Sequence, residues 1–536
     1  MSLLLLGLAW STVGLAQNRD ISDRAEGFPS KDTIKLDIHG SVRWRTELWS
    51  DVHLGLAPQV NKYGIYPPLS ADGGSGVLRE TTDIRFRLKP IFHIGEKADI
   101  KGVVDLLDVR AGDGGYAGLP GLMAQSFGID KPASMQSPHE SIMVRGLWAE
   151  VFIAHLITMQ VGRVPAKWGM GLVENDGSFT PDANGVDAVD GITLSAKFGK
   201  NRSMWAAASL DFPLEGTSMQ SPWAPWGASY DVADMDDIWQ WRLKFTSKPK
   251  ANEKGSFFWW GLFARIRWQD YTSAGGNSGA EACRAAPDFQ PLFDCAEFFW
   301  RDAFFFTPDG WIKASARLSS NLYLDFEAEV AARYGDMSAT QAFSGEDTGK
   351  TLFGFGGVLR TGLRWDGWKA GIETGAASGD EGADAFGILD RPVVAEPDTS
   401  AYEFSPVAGN DTVTSFLLHP NFVTDMILFR SVIGGVTNAF YIKPKIEIPL
   451  FRRGENRIWF HASAMYAMAM VPSSTPGDSR ALGLETDFGV SAKLTKHAEA
   501  HLEGGVLFPG EGISGGPTAL ADPVPWSARL LVNFSF

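Results

Sequence analysis

Arginine and lysine recur at every second position in two neighbouring segments of this chain: Arg43 and Arg45, then Arg85, Arg87 and Lys89. Further along, Arg242 and Lys244, then Arg265 and Arg267, repeat the spacing. Carboxylates follow the same rule at Asp325, Glu327 and Glu329, at Glu485 and Asp487, and at Glu499 and Glu503. A spacing of two puts such charges on one face of a β-strand and leaves the intervening positions for the other face. Those positions are largely apolar: Trp44, Ile84, Phe86, Trp241, Leu243, Leu324, Phe326, Leu484 and Leu502. Rows of fixed charge lining one enclosed wet space would orient and sort polar solutes. Pairing between adjacent strands is the simpler use of the same residues.

Bond-breaking chemistry has little support. Histidines such as His461 and His501 show no metal-ligand spacing, and no Walker loop or dinucleotide fingerprint is present. The chain is therefore read as a non-enzyme with no cofactor and no metal. Glu174, Asp176, Asp182, Asp187 and Asp190 cluster around Gly177 and could offer oxygen ligands to calcium. Their spacing is not that of the calcium loop, so solvated surface acids are expected.

The charges need strands to carry them, and alternation supplies these along the whole chain. Short turns such as Gly95–Lys97, Gly199–Asn201, Asp366-Gly367 and Arg453–Asn456 alternate with nine long Gly-, Pro- and Asp-rich connections. Nine hairpins imply about 18 strands. The pattern predicts an all-β fold: a transmembrane, antiparallel, up-and-down barrel with long extracellular loops and short periplasmic turns. Segment 298–309 is ambiguous between strand and lumenal loop, and 421–435 between strand and a short lumenal helix. A barrel this wide leaves an aqueous channel unless loops plug it.

Composition agrees. Phe (35), Trp (19) and Gly (59) suit aromatic girdles and tight turns. No stretch beyond the N-terminus reaches the roughly 18 apolar residues of a membrane helix. A net charge of −15 argues against nucleic acid as a partner. Residues 1–16 read as a signal peptide, 17–32 as a periplasmic segment and 33–536 as the barrel. Cys283 and Cys295, close together in one polar connection, are expected to form a disulfide on an oxidising side of the membrane.

Two stretches carry a resemblance. The final strand, Trp526 to Phe536 with Phe534 and Phe536 on its apolar face, resembles the C-terminal insertion signal of outer-membrane proteins. Gly162-Arg163 followed by Trp168-Gly169 resembles the strand-to-loop pattern of Gram-negative porin-like proteins, including the alginate-export group. The resemblance implies that this loop folds inward as a constriction. It also implies an outer-membrane location, with lipid, lipopolysaccharide and the barrel-assembly machinery as partners. The leading expectation is a pore for passive diffusion of small hydrophilic, anionic solutes, with the arginine ladder as attractor. The alternatives are an export channel for an acidic polysaccharide, which would need a periplasmic partner, and a plugged barrel serving as adhesin or anchor. Oligomeric state is not legible.

Overall fold

The computed structural model describes residues 34–52, 54, 78–110, 142–153, 156–183, 186–214, 238–252, 255–273, 298–338, 349–381, 383–384, 389–390, 412–513 and 524–536. The expected leader and periplasmic segment, and Cys283 and Cys295 with their expected disulfide, lie outside these residues.

Eighteen strands make the wall. The first nine are β1 (Ile34–Ser50), β2 (Leu78–Ile94), β3 (Ala98–Arg110), β4 (Met143–Ile153), β5 (Ile157–Pro165), β6 (Ala188–Phe198), β7 (Met204–Leu214), β8 (Ile238–Ser247) and β9 (Phe257–Ser273). The second nine are β10 (Phe298–Arg317), β11 (Leu322–Met337), β12 (Lys350–Trp365), β13 (Trp368–Ala377), β14 (Ala439–Arg453), β15 (Asn456–Ala469), β16 (Ala481–Lys493), β17 (Ala498–Pro509) and β18 (Trp526–Ser535). Each pairs antiparallel with its neighbour in sequence. The last returns to the first, with Ser41 opposite Ser535 and Ser50 opposite Trp526. Closure leaves no edge of unpaired backbone groups.

Alternation is what drives this arrangement. In β1 the side chains of Arg43, Arg45 and Glu47 turn inward and are buried, while Val42 and Trp44 between them are exposed outside. Every one of the eighteen strands leaves at least one large apolar side chain exposed, among them Leu194, Leu243, Leu262, Leu363, Phe488 and Leu502. Such a surface is stable against hydrocarbon, and a closed ladder satisfies the backbone groups that lipid cannot. Near the long-loop end Phe212, Trp239 and Trp268 pack with ring centroids 4.6 and 6.3 Å apart. Aromatic clusters at that level mark the boundary between hydrocarbon and headgroups. The molecule is an outer-membrane β-barrel.

The short turns share one end with the start of β1 and the end of β18. Asp366 (φ 47°) and Gly367 (φ 91°) make a two-residue turn of the kind whose twist suits a hairpin. All nine long connections lie at the other end, which is therefore extracellular. The two ambiguous segments resolve differently. Phe298–Arg317 is one strand of 20 residues, whereas the 421–435 region is no part of the wall and contains a buried π-helical turn, Leu428–Ile433.

Candidate functional site

Two of the long connections fold into the barrel and meet there. The first, residues 166–187 between β5 and β6, leaves the wall where the chain bends back on itself. Gly169 (φ 49°) and Gly171 (φ 87°) allow that bend, and the Gly171 N–H closes it on the Trp168 carbonyl at 2.8 Å. The Trp168 ring then stacks on Phe263 of β9, centroids 5.5 Å apart, and its indole N–H donates to Asp309 of β10 at 2.8 Å. Backbone N–H groups of Met170 and Leu172 donate to the Glu329 carboxylate on β11.

Further along the loop, Glu174 accepts from Lys244 Nζ at 2.7 Å and from Arg242 at 3.3 Å. Burial alone would raise the Glu174 carboxyl, but Lys244 and Arg242 hold it down at about 2. At the far side the Ala183 carbonyl accepts from Arg43 at 2.9 Å and from Arg85 at 2.7 Å. Asp182 is gripped by Arg45 at 2.9 Å and by Arg430 and Arg529. The loop thus crosses the lumen from β8–β11 to β1–β2.

The second inward connection, 414–438 between β13 and β14, lies against the first. The His419 N–H donates to the Leu172 carbonyl at 2.8 Å. Three successive N–H groups, those of Met426, Ile427 and Leu428, donate to the Glu485 carboxylate on β16 at 2.8 Å each. Asp425 accepts from the N–H of Phe429 at 2.7 Å and of Arg430 at 3.0 Å, capping the π-helical turn. Burial pushes the Asp425 carboxyl up to about 7, against those N–H groups and with help from the Asp487 charge. Leu418, Ile427, Leu428, Val432 and Ile433 are fully enclosed and pack with Tyr441 of β14 and Leu482 of β16. An apolar core therefore fills part of a lumen whose wall is charged.

Below the loops, toward the short turns, a chamber of about 1470 Å³ remains. Its lining holds ten lysines and six arginines against three glutamates, with indoles of Trp148, Trp205, Trp259, Trp311 and Trp459 between them. Part of this charge is paired. Arg360 meets Glu373 at 2.6 Å, Lys369 meets Glu447 at 2.6 Å, and Lys313 meets Glu327 at 3.1 Å. The remainder, including Lys248, Arg457, Lys493 and Lys496, leaves the chamber strongly positive.

Beside Lys244 and Glu327, already placed against Glu174 and Lys313, the residues marked by sequence spacing fall into three groups. Arg43, Arg45, Arg85, Arg242, Glu329 and Glu485 hold the inward loops. Arg87 forks onto Asp105 at 2.6 and 2.8 Å, Asp325 meets Arg364 at 3.3 Å, Asp487 meets Lys443 at 3.2 Å, Glu499 accepts from Asn533 at 3.0 Å, and Glu503 pairs with Arg529. Lys89, Arg265 and Arg267 make up the third group, for which no carboxylate among the described residues lies within ion-pair distance.

Two expectations fail. Arg163 is not in the constriction: it sits on the outer face of β5 and forks onto Asp190 of β6 at 2.7 and 2.6 Å. It is in register with Leu147, which is exposed outside, while Gly162 takes the inward position opposite Trp148. The Asp-rich segment is not a solvated surface either, because Glu174, Asp176 and Asp182 are buried against wall cations or loop N–H groups. Arg430 and Arg333 escaped the sequence reading, which took Asp182 only as a surface acid. Only Arg333 left a trace there, lying in step with Glu327 and Glu329.

No family model and no curated protein matches this chain. Among solved structures it is similar to OccAB2 of Acinetobacter baumannii, at 9% identity over 93% of this chain and 98% of that one, with a TM-score of 0.47. It is also similar to the outer membrane protein OpdK from Pseudomonas aeruginosa (9% identity, 93% and 98% covered, TM-score 0.46). The outer membrane protein OprD from Pseudomonas aeruginosa is a third such structure (8% identity, 95% and 95% covered, TM-score 0.43).

Proposed function

We propose that this barrel is a pore that passes small hydrophilic anions across the outer membrane. The observation that carries the reading is the chamber, with sixteen cationic side chains and three acidic ones around one water-accessible space. A low-dielectric wall focuses that field, raising the local concentration of anions and excluding cations. The two loops set the size limit, since a solute must pass the narrowed level of Trp168 and Phe263 before it reaches the chamber. Arg43, Arg45 and Arg85 act in this reading through the first loop, which they hold in place. Arg265, Arg267 and Lys89 act on the solute itself.

Bilayer conductance in a salt gradient tests the proposal. The expected result is a steady current whose reversal potential lies on the anion side, moving toward zero when Lys248, Arg457, Lys493 and Lys496 are replaced by Gln. A cation-selective current would overturn it. One observation favours a second reading, a plugged barrel serving as a surface anchor: the apolar core built by both loops inside the lumen. Purified, heat-modifiable protein that carries no current would decide for the plug.

A further inference from the structure

Above the Trp168–Phe263 contact, on the extracellular side, three arginines project into the lumen. Arg265 and Arg267 are the next two inward positions of β9 beyond Phe263. Arg333 lies on β11, two strands away, level with them: Arg267 is opposite Phe305 on β10, and Phe305 is opposite Gly335. Two inter-strand steps amount to about 10 Å, a gap that two extended arginines facing each other can close. The three lie within electrostatic reach of one another.

Each guanidinium is oriented but not neutralised. Arg267 Nε donates to the Gln240 side-chain oxygen at 2.5 Å, which leaves its two terminal nitrogens. Arg333 lies over the Phe416 ring, 5.4 Å from the centroid, a contact that uses its face and spares its N–H edge. Arg265 is 9% exposed, and its Nε has no hydrogen-bond partner among the described residues. Glu174, Asp187 and Asp309 are acids whose charge reaches Arg265. All three are engaged elsewhere: Glu174 by Lys244 and Arg242, Asp187 by His419 at 3.0 Å, Asp309 by the Trp168 indole. Confined cations without a counterion are costly, and the cost falls when an anion takes the open N–H groups.

We infer that Arg265, Arg267 and Arg333 form a capture site for a compact oxyanion carrying two negative charges, placed just outside the constriction. The planar forks suit carboxylate or phosphate oxygens, and three cations leave a monoanion's charge far short of balance. The inference rests on the pore reading, because the captured anion is the one delivered to the loops and the chamber beyond.

Inorganic phosphate and succinate serve as dianionic probes, and acetate as the monoanionic control. Calorimetry on the full-length protein in detergent micelles reads binding without needing a current. The expected result is saturable binding of phosphate and succinate, and acetate weaker by at least about tenfold. The R265Q/R267Q/R333Q variant should lose the dianion preference. Replacing all three by Lys should recover part of the affinity and little of the selectivity. If the triple Gln variant fails to give a heat-modifiable barrel, R333Q alone carries the test, since Arg333 meets the second inward loop over the Phe416 ring and makes no ion pair among the described residues. Equal binding of acetate and phosphate, or unchanged phosphate binding in R333Q, would overturn the site. Binding without any bilayer current would keep the site and sink the pore.

Discussion

Asp182 of the first inward loop and Arg430 of the second, 248 residues apart in sequence, form an ion pair inside the barrel beside strands β1 and β18. The same carboxylate also receives Arg45 from β1 and Arg529 from β18. These two strands are the closing seam of the barrel. A single aspartate therefore ties the seam to both loops. The anchor of both loops is built into the closure of the wall, so loop position and seam integrity should change together.

Asp182→Asn tests that coupling. It keeps the shape but removes the charge that three arginines share. Breaking a buried pair leaves uncompensated cations and costs about 3–5 kcal/mol. The expected outcome is a lower unfolding temperature on heated gels and a larger, noisier single-channel current. The pH dependence follows from the sign of the shift. The arginines hold the Asp182 carboxyl well below its ordinary 3.8 despite burial. Its contribution is present above that ordinary value and is lost only as pH falls through the depressed one. Wild-type current should therefore not step between about pH 5 and about pH 4 on account of this latch.

Asp425 should act in the opposite sense. Its carboxyl lies at about 7, so the docked loop favours the protonated form. Stability from this group is complete below the ordinary value and falls as pH rises toward about 7. Asp487 adds like charge from the wall, and the Lys443 charge and the backbone N–H groups of Phe429 and Arg430 oppose it. The second loop should loosen as pH climbs through neutrality, giving a rise in current. Asp425→Asn should flatten that rise. A variant that keeps the full pH step would place its origin in another group.

Much of the wall was legible because its signal is local. Period-2 alternation fixes strand, face and register together, and a turn needs only a few residues. Arg43 and Glu485 fall on the inward faces of their strands for that reason. What they hold was not legible. Met426, Ile427 and Leu428 give up backbone N–H groups to Glu485, and a backbone donor leaves no mark on residue type. Arg163 misled because the β5 exit alternates without a strong apolar pattern: Val161, Gly162, Arg163 and Val164 fit either face. The apolar run Met426-Ile-Leu-Phe429 resembles a strand, yet it packs inside the barrel because β13 and β14 pair directly and leave it no place in the wall.

On the pore reading, the Trp168 contact sets the bore. Trp168→Ala removes the stack on Phe263 and the bond to Asp309, and should cost about 3–5 kcal/mol while enlarging the current. Gly261→Val approaches the same point from the wall. A Cβ at Gly261 would meet the Trp168 ring at 2.7 Å, so the indole must move. Both variants should pass larger solutes in a liposome-swelling assay. A gain in Trp168→Ala alone would mean that the ring can shift without opening the path.

Phe536 lies beside Gly40 at the seam. Its N–H donates to the Gly40 carbonyl at 3.0 Å, and its carbonyl accepts the Gly40 N–H at 3.0 Å. The ring covers the glycine on the outer face, where an added Cβ would meet it at 2.5 Å, and it reaches Phe86 of β2 with centroids 6.3 Å apart. An aromatic side chain over a bare glycine shields backbone that lipid cannot solvate. Phe536→Ala should therefore slow closure of the barrel, with less heat-modifiable protein in the outer membrane and unfolded chain accumulating in the periplasm. Gly40→Ala separates two roles. If Phe536 acts only through packing, displacing its ring should reproduce the defect. If Phe536 is also read during assembly, as the resemblance of the final strand implies, Gly40→Ala should assemble at a normal rate and show only a lower unfolding temperature. Normal assembly of Phe536→Ala would remove both roles.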